Sequence, residues 1–380
     1  MSAGIVLNSG GPTPVINASL LGLVKEARRQ QEITQLLGAR FGIEGLLNQD
    51  FVDLFSLDAG RLAAIEREPS SALGTSRRYL DEATVDTILR ALQSRGVGFL
   101  FCIGGNGSMG AAARLAEAGA GLRVIGIPKT VDNDLNATDH TPGYPTAARF
   151  FACAARDIGA DNRALPGQVE FIEVLGRNTG WLVAATALAR REPDDAPHLI
   201  YLPESRLSLA QLLDDVDRVY RRLGRCVVTV CEGQLDETGQ PFGADVRNSS
   251  GHPLAMNLAH RLAMLVTEKL KLRARSEKPG LLARSSAAYF SQLDWDEARL
   301  AGEAAVRAAV DGLSGVMITL ERDPGSDYSV RCGTVPLAAV ASTERAFPAE
   351  WRNAAGNDVT SAFIDYAAPL VGEIDHYPAL

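Results

Sequence analysis

Three apolar runs of strand length in the first third of the chain each stop at a turn suited to polar chemistry. Residues 4–7 lead into Asn8, Ser9, Gly10 and Gly11; residues 97–103 into Gly104, Gly105, Asn106, Gly107 and Ser108; residues 124–127 into Pro128, Lys129, Thr130, Val131, Asp132, Asn133 and Asp134. Amphipathic stretches at 15–29 and 109–118 lie between them. This βαβ rhythm admits few folds, because strands buried on both faces need helices over them and are then parallel. A second cycle follows, with helical patterns at 146–158, 181–190 and 208–223 and strand-like runs at 169–175, 198–202 and 226–231. Further helices are expected at 252–272 and 296–311, a strand at 316–320 and a turn at 323–326. The expected class is α/β: two Rossmann-like lobes with doubly wound, mostly parallel sheets. A chain of 380 residues, 46% hydrophobic, is long enough for both cores.

Charge and composition narrow the function. A net charge of -8 argues against nucleic acid as a partner, since that affinity rests on clustered Lys and Arg. No run reaches the length of a membrane span, and the first apolar run is too short for a signal peptide, so a cytoplasmic protein is expected. The five cysteines form no CxxC pair and read as buried free thiols. The histidines, His140, His198, His252, His260 and His376, show no metal-ligand spacing; His252 and His260 are expected on one helix. A nicotinamide-dependent dehydrogenase is excluded because no GxGxxG follows the first strand.

The three turns carry the chemistry. A lone Gly-Gly is explained equally well by a tight turn, but two glycine turns after strands of one sheet are harder to dismiss as turns alone, since main-chain N–H groups and a helix start there can face an anion. Ser108 can cap the helix or bond a phosphate oxygen. The third turn packs a cation, a hydroxyl and two carboxylates into seven positions. Phosphoryl transfer to an alcohol asks for such a set: a carboxylate to accept the hydroxyl proton, positive charge on the transferring group, and oxygen ligands for a metal.

The segments NSGGPTPVINA, LGTSR, GGNGS, GIPKTVDND, TPGYPTAAR, EVLGRNTGW, EGQ and PGLLARS stand in the order and spacing of the phosphofructokinases, and the chain resembles that family along nearly its whole length. The resemblance implies Asp132 as general base, with Thr130 and Asp134 arranging acceptor and metal and Arg177 offsetting charge on the transferring group. Gly11, Arg77, Gly105, Asn106, Gly107, Ser108 and Lys129 would hold the donor, with Asn106 as the Mg2+ ligand. Asp134, Gln168, Leu175, Gly176, Arg177, Glu232, Arg275, Leu281 and Arg284 would line the acceptor. It further implies a donor lobe at 1–141 plus 284–345, an acceptor lobe at 142–283 plus 346–380, and a homodimer or homotetramer binding a nucleotide and a small sugar or sugar phosphate.

Three departures from the family bear on specificity. Asn106 replaces an aspartate that lies near the donor's magnesium. Gln168 replaces an arginine lent to the acceptor's phosphate by a neighbouring subunit, and Leu281 a polar residue that contacts the same phosphate. Each lost charge-assisted hydrogen bond is worth about 1.5–3 kcal/mol, so an acceptor other than fructose 6-phosphate is expected. Gly107 leaves room for a nucleotide's α-phosphate, so ATP is favoured over pyrophosphate. The alternative is a catalytically weakened sensor or regulatory subunit.

Overall fold

The computed structural model describes residues 1–380 except 79, 243–245, 248–252, 255–256, 326, 342 and 378–380; for 67, 246, 247, 253 and 254 it describes the backbone alone. The chain divides into two compact units, Met1–Tyr144 with Gln292–Arg345, and Pro145–Ser291 with Ala346–Leu380.

The first unit is built on a seven-stranded sheet of β1 (Ser2–Asn8), β2 (Ile33–Ala39), β3 (Phe51–Asp53), β4 (Val97–Gly104), β5 (Arg123–Pro128), β12 (Val316–Arg322) and β13 (Val330–Pro336), in the order β13-β12-β5-β4-β1-β2-β3. The five central strands are parallel; β3 and β13 run antiparallel at the edges. Alternate residues of each strand feed opposite faces, as the pleat requires. Ile5, Leu7, Leu100, Cys102 and Val124 pack with helices Glu82–Ser94 and Asn106–Ala118. Val6, Phe99, Phe101, Ile103 and Ile125 pack with helices Ile16–Ala27 and Gln292–Val310. Those last two helices meet backbone to backbone: a Cβ on Gly22 would lie 2.0 Å from the Arg299 carbonyl, and one on Gly302 would lie 2.0 Å from that of Ser19.

The second unit holds a four-stranded, all-parallel sheet of β6 (Gln168–Val174), β7 (Leu199–Tyr201), β8 (Cys226–Cys231) and β11 (Arg273–Glu277), in the order β11-β6-β8-β7. A separate antiparallel pair joins β9 (Val246–Arg247) and β10 (Pro253–Leu254). One face of the sheet packs Val169, Phe171 and Val228 against helices Leu209–Leu223 and Leu258–Leu270. Trp181, fully buried, stacks edge-on with Phe347 and Trp351.

The α/β class stands as expected, with differences of detail. The helix expected at 181–190 is a short α-helix, Trp181–Ala185, that tightens into a 3-10 turn over Thr186–Ala189, where the buried Thr186 hydroxyl bonds back to the Val183 carbonyl at 2.6 Å. The helix expected at 252–272 runs from Leu258 to Leu270; His252 lies outside the described residues and His260 sits on the helix. β2, β3, β9, β10, β11 and β13 have no counterpart among the expected strands. Among the described residues no disulfide joins the five thiols, and all but Cys332 are buried. Among the described residues no helix is long and apolar enough to cross a membrane.

Candidate active site

In the first unit the three turns lie at the carboxyl ends of the adjacent parallel strands β1, β4 and β5. The turn after β1 is stitched to the segment before Arg77: the Gly10 amide donates to the Ser76 carbonyl at 3.0 Å, and the Thr75 hydroxyl donates to the Gly10 carbonyl at 2.7 Å. Gly10 has φ +83°, a conformation glycine adopts without strain. Arg77 itself is exposed. Lys129 ties this turn to β5. It is 3% exposed, and its ammonium donates to the Gly11 carbonyl at 2.7 Å. A cation so buried marks where negative charge belongs. The turn after β4 opens directly into helix Asn106–Ala118 at Gly105, which brings no capping side chain. Gly107 is exposed, and a Cβ there would meet nothing within 4 Å.

The loop after β5 is clamped on itself. The Asp132 amide donates to the Thr130 hydroxyl at 3.1 Å, and buried Asn133, at φ +56°, accepts the Thr141 amide at 3.0 Å through its side-chain oxygen. The Thr141 hydroxyl donates to the Thr130 carbonyl at 2.7 Å, and the Arg345 amide to the Asp134 carbonyl at 2.8 Å. Asp132 and Asp134, both half-buried, thus flank a fixed residue.

Asn106 sits among carbonyls. Its amide nitrogen donates to those of Val340 and Thr343, at 2.9 and 3.0 Å, and the Asp134 carbonyl lies 3.3 Å from the other amide atom. Those two acceptors suit an amide and would repel a carboxylate, which accounts physically for asparagine here. Magnesium, which the resemblance implies, takes oxygen ligands and keeps several waters. The carboxylate of Asp134 and the amide oxygen of Asn106 are donors of that kind, so the residues present fit it.

In the second unit β6 runs into a tight turn. Thr179 donates to the Gly176 carbonyl through its amide at 2.9 Å and its hydroxyl at 3.2 Å, and Arg177, exposed, is held at φ +49°. A Cβ on Gly233 would lie 1.5 Å from the Arg177 carbonyl, so only glycine fits beneath it. Leu175 is half-buried beside Gly176, and the Glu232 amide donates to the Val174 carbonyl at 2.9 Å. Burial raises the Glu232 carboxyl above its ordinary range; Glu173 adds to this and Lys278 opposes it. Arg275 is exposed on the edge strand β11, paired in register with Glu170. Arg284 is half-buried. Gln168 is 1% exposed with both atoms of its amide buried, whereas Leu281 is 62% exposed.

Some neighbours of these residues had not been singled out: Thr141, Asn133 and the ion pair of Lys278 with buried Glu173 at 2.6 Å. Asn133 lies inside a motif already noted. Glu173 and Lys278 are far apart in sequence, and nothing local announces their pairing.

The family model for phosphofructokinase matches residues 4–309. The chain belongs to the phosphofructokinase family. It is 39% identical to the pyrophosphate-fructose 6-phosphate 1-phosphotransferase of Rhodospirillum rubrum, over 97% of this chain and 94% of that relative. It is 36% identical to the enzyme of the same name from Xanthomonas campestris, over 96% of this chain and 90% of that relative. Among solved structures, the pyrophosphate-dependent phosphofructokinase of Nitrosospira multiformis matches with a TM-score of 0.91 and 29% identity, over 100% of this chain and 94% of that one.

The chain is therefore an enzyme, a phosphofructokinase-type sugar-phosphate kinase, and the family implies a phosphoryl donor and magnesium. Two expectations are corrected by these relatives, whose names specify pyrophosphate and fructose 6-phosphate. ATP was favoured because Gly107 leaves room for a nucleotide, but open space there permits a larger donor without requiring one. A different acceptor is expected from Gln168 and Leu281, but the Gln168 amide is buried and is not presented at the surface to a ligand. The sensor or regulatory-subunit alternative is likewise not favoured.

Proposed function

We propose that the chain transfers a phosphoryl group from pyrophosphate to the 1-hydroxyl of fructose 6-phosphate. The observation that carries this reading is Lys129, a buried ammonium 2.7 Å from the Gly11 carbonyl, between two glycine turns. A compact, highly charged donor needs concentrated positive charge more than it needs a base or ribose pocket. The 39% identity to the Rhodospirillum rubrum enzyme supports the same donor and acceptor.

Asp132 accepts the proton of the acceptor hydroxyl as its oxygen attacks the donor phosphorus; the bridging P–O bond breaks and orthophosphate leaves. Lys129, Arg77, Gly11, Gly105, Gly107 and Ser108 hold the donor phosphates, aided by the start of helix Asn106–Ala118. Thr130 steadies Asp132 through the 3.1 Å bond to its amide. Magnesium, held by Asp134 and Asn106, supplies charge neutralisation on the donor when bound. Arg177 offsets the charge of the transferring group, and Leu175, Gly176, Glu232, Arg275 and Arg284, carried by the second unit, bind the sugar phosphate. A homodimer or homotetramer is part of the proposal, supported by the exposed Met264, Leu281 and Leu282 of that unit, at 60%, 62% and 61%.

Asp132→Asn tests the base assignment. It keeps the size of the side chain and removes its basicity, so turnover is expected to fall by at least about 100-fold. Wild-type turnover in that variant contradicts the reading.

A further inference from the structure

Behind the catalytic loop lies a closed ring of charge that the proposed chemistry does not use. His140 is fully buried, with Nε2 2.6 Å from Glu297 Oε2 and Nδ1 2.9 Å from Asp139 Oδ2. Ionised carboxylates only accept hydrogen bonds, so a ring bonded to one through each nitrogen carries both protons. The Tyr328 hydroxyl donates to the other oxygen of Glu297 at 2.7 Å, and Arg322 donates to Asp139 at 3.0 Å. The Arg322 guanidinium lies over the Tyr328 ring, 4.8 Å from its centre, and completes the circle. Two cations and two anions balance, which is how charge tolerates burial.

The ring gathers parts from separated elements. Glu297 lies on helix Gln292–Val310, Arg322 ends β12, Tyr328 follows it, and Asp139 and His140 belong to the loop after β5. The Asp139 amide donates to the Leu320 carbonyl at 2.8 Å, and the Thr138 hydroxyl donates to the His140 carbonyl at 2.9 Å. One peptide beyond His140, Thr141 reaches Asn133 with its amide at 3.0 Å and Thr130 with its hydroxyl at 2.7 Å. A single residue therefore separates the buried ring from the turn that carries Asp132.

We propose that His140, gripped between Asp139 and Glu297, is a positioning residue for phosphoryl transfer: it fixes Thr141, and through Thr141 the 130–134 turn and its base. This role rests on the reading of Asp132 as general base. Its weight falls on the chemical step, because a base misplaced by about 1 Å costs on the order of 100-fold in rate.

The test compares His140→Gln, Glu297→Gln and Asp132→Asn, assayed with magnesium, pyrophosphate and fructose 6-phosphate at a temperature where circular dichroism shows each folded. His140→Gln is expected to lower kcat by about 10- to 100-fold with both KM values within about twofold of wild type. Glu297→Gln, which keeps an acceptor for the ring, is expected to lose about 3- to 10-fold and carries the comparison should His140→Gln not fold. In wild-type protein labelled with 15N-histidine, one imidazole is expected to show both nitrogens protonated at pH 7, a signal lost in His140→Gln. Unchanged kcat in both ring variants beside an inactive Asp132→Asn overturns the positioning role alone. A change confined to KM, or the absence of a doubly protonated ring, overturns it too. An Asp132→Asn enzyme of undiminished kcat overturns the base assignment and the role together.

Discussion

The hydroxyl of Thr141 donates to the main-chain carbonyl of Thr130 at 2.7 Å, closing the loop that carries Asp132 from the far side of Asn133. Thr141 is itself fully buried and Thr130 half-buried, so this bond is partly shielded from water. Thr141→Val keeps the shape and leaves the Thr130 carbonyl short of a donor. Stability is expected to fall by about 1–3 kcal/mol in denaturant unfolding, with kcat lowered and both KM values little changed. A variant as stable and active as wild type would show that the clamp is idle.

Lys129 is proposed to meet the donor. Lys129→Met fills the same buried volume with an uncharged chain, so the fold is retained and charge is lost at the Gly10–Gly11 turn. The KM for pyrophosphate is expected to rise by at least about 10-fold, the loss of one charge-assisted bond of about 1.5–3 kcal/mol, while the KM for the sugar phosphate stays near wild type. Initial-rate kinetics with each substrate varied in turn would decide it; an effect on the sugar phosphate alone would place Lys129 elsewhere in the chemistry.

Asn106 gives a prediction of opposite sense to its family's usual aspartate. Asn106→Asp would set a carboxylate against the Val340 and Thr343 carbonyls that now accept from the amide, at 2.9 and 3.0 Å. A loss of about 1–3 kcal/mol is expected at neutral pH, read from denaturant midpoints without magnesium. A more stable variant would mean that those carbonyls do not face a hydrogen-bond donor.

Stability should decline on both sides of neutrality for two different histidines. Burial acts to lower the pKa of His140, but hydrogen bonds to Asp139 and Glu297, and their charges, lift it from 6.5 to about 9; Arg322 and Tyr328 complete its surroundings. The folded state holds this proton more tightly than the unfolded one, so the stabilisation is complete below about 6.5 and is lost as pH rises through about 9. His198 behaves oppositely. Burial first, then Arg225 and Arg222, lower it from 6.5 to about 4 against backbone bonds at Asp194 and Val227. Its ring nitrogen accepts the Val227 amide at 2.8 Å, which a protonated nitrogen cannot do. Its contribution is present above about 6.5 and is lost as pH falls toward 4. Melting temperatures across pH should show His140→Gln flattening the alkaline side and His198→Asn the acid side; unchanged slopes would contradict both assignments.

The strands most legible in the sequence are those buried on both faces. β1, β4 and β5 read as uninterrupted apolar runs because their alternate residues enter two different cores, and the turns that follow them could be placed for the same reason. β11 was missed because it is the edge strand of its sheet: Arg273, Arg275 and Glu277 are exposed, so no apolar run announces it. The motif around Asp132 could be read locally, but what holds it could not. Glu297 is 157 residues from His140, and their 2.6 Å contact exists only after the helix Gln292–Val310 packs against the sheet. The donor was misread for another physical reason: a missing side chain at Gly107 records what would not clash there, and says nothing about what binds.

The central claim is tested most directly by initial rates with magnesium, fructose 6-phosphate and either pyrophosphate or ATP, following formation of fructose 1,6-bisphosphate. The account predicts robust turnover with pyrophosphate, release of one orthophosphate per sugar phosphorylated, and kcat/KM for ATP lower by at least about 100-fold, equivalent to roughly 2.7 kcal/mol of transition-state discrimination. Equal or better turnover with ATP, or no phosphorylation of fructose 6-phosphate by pyrophosphate, would contradict it.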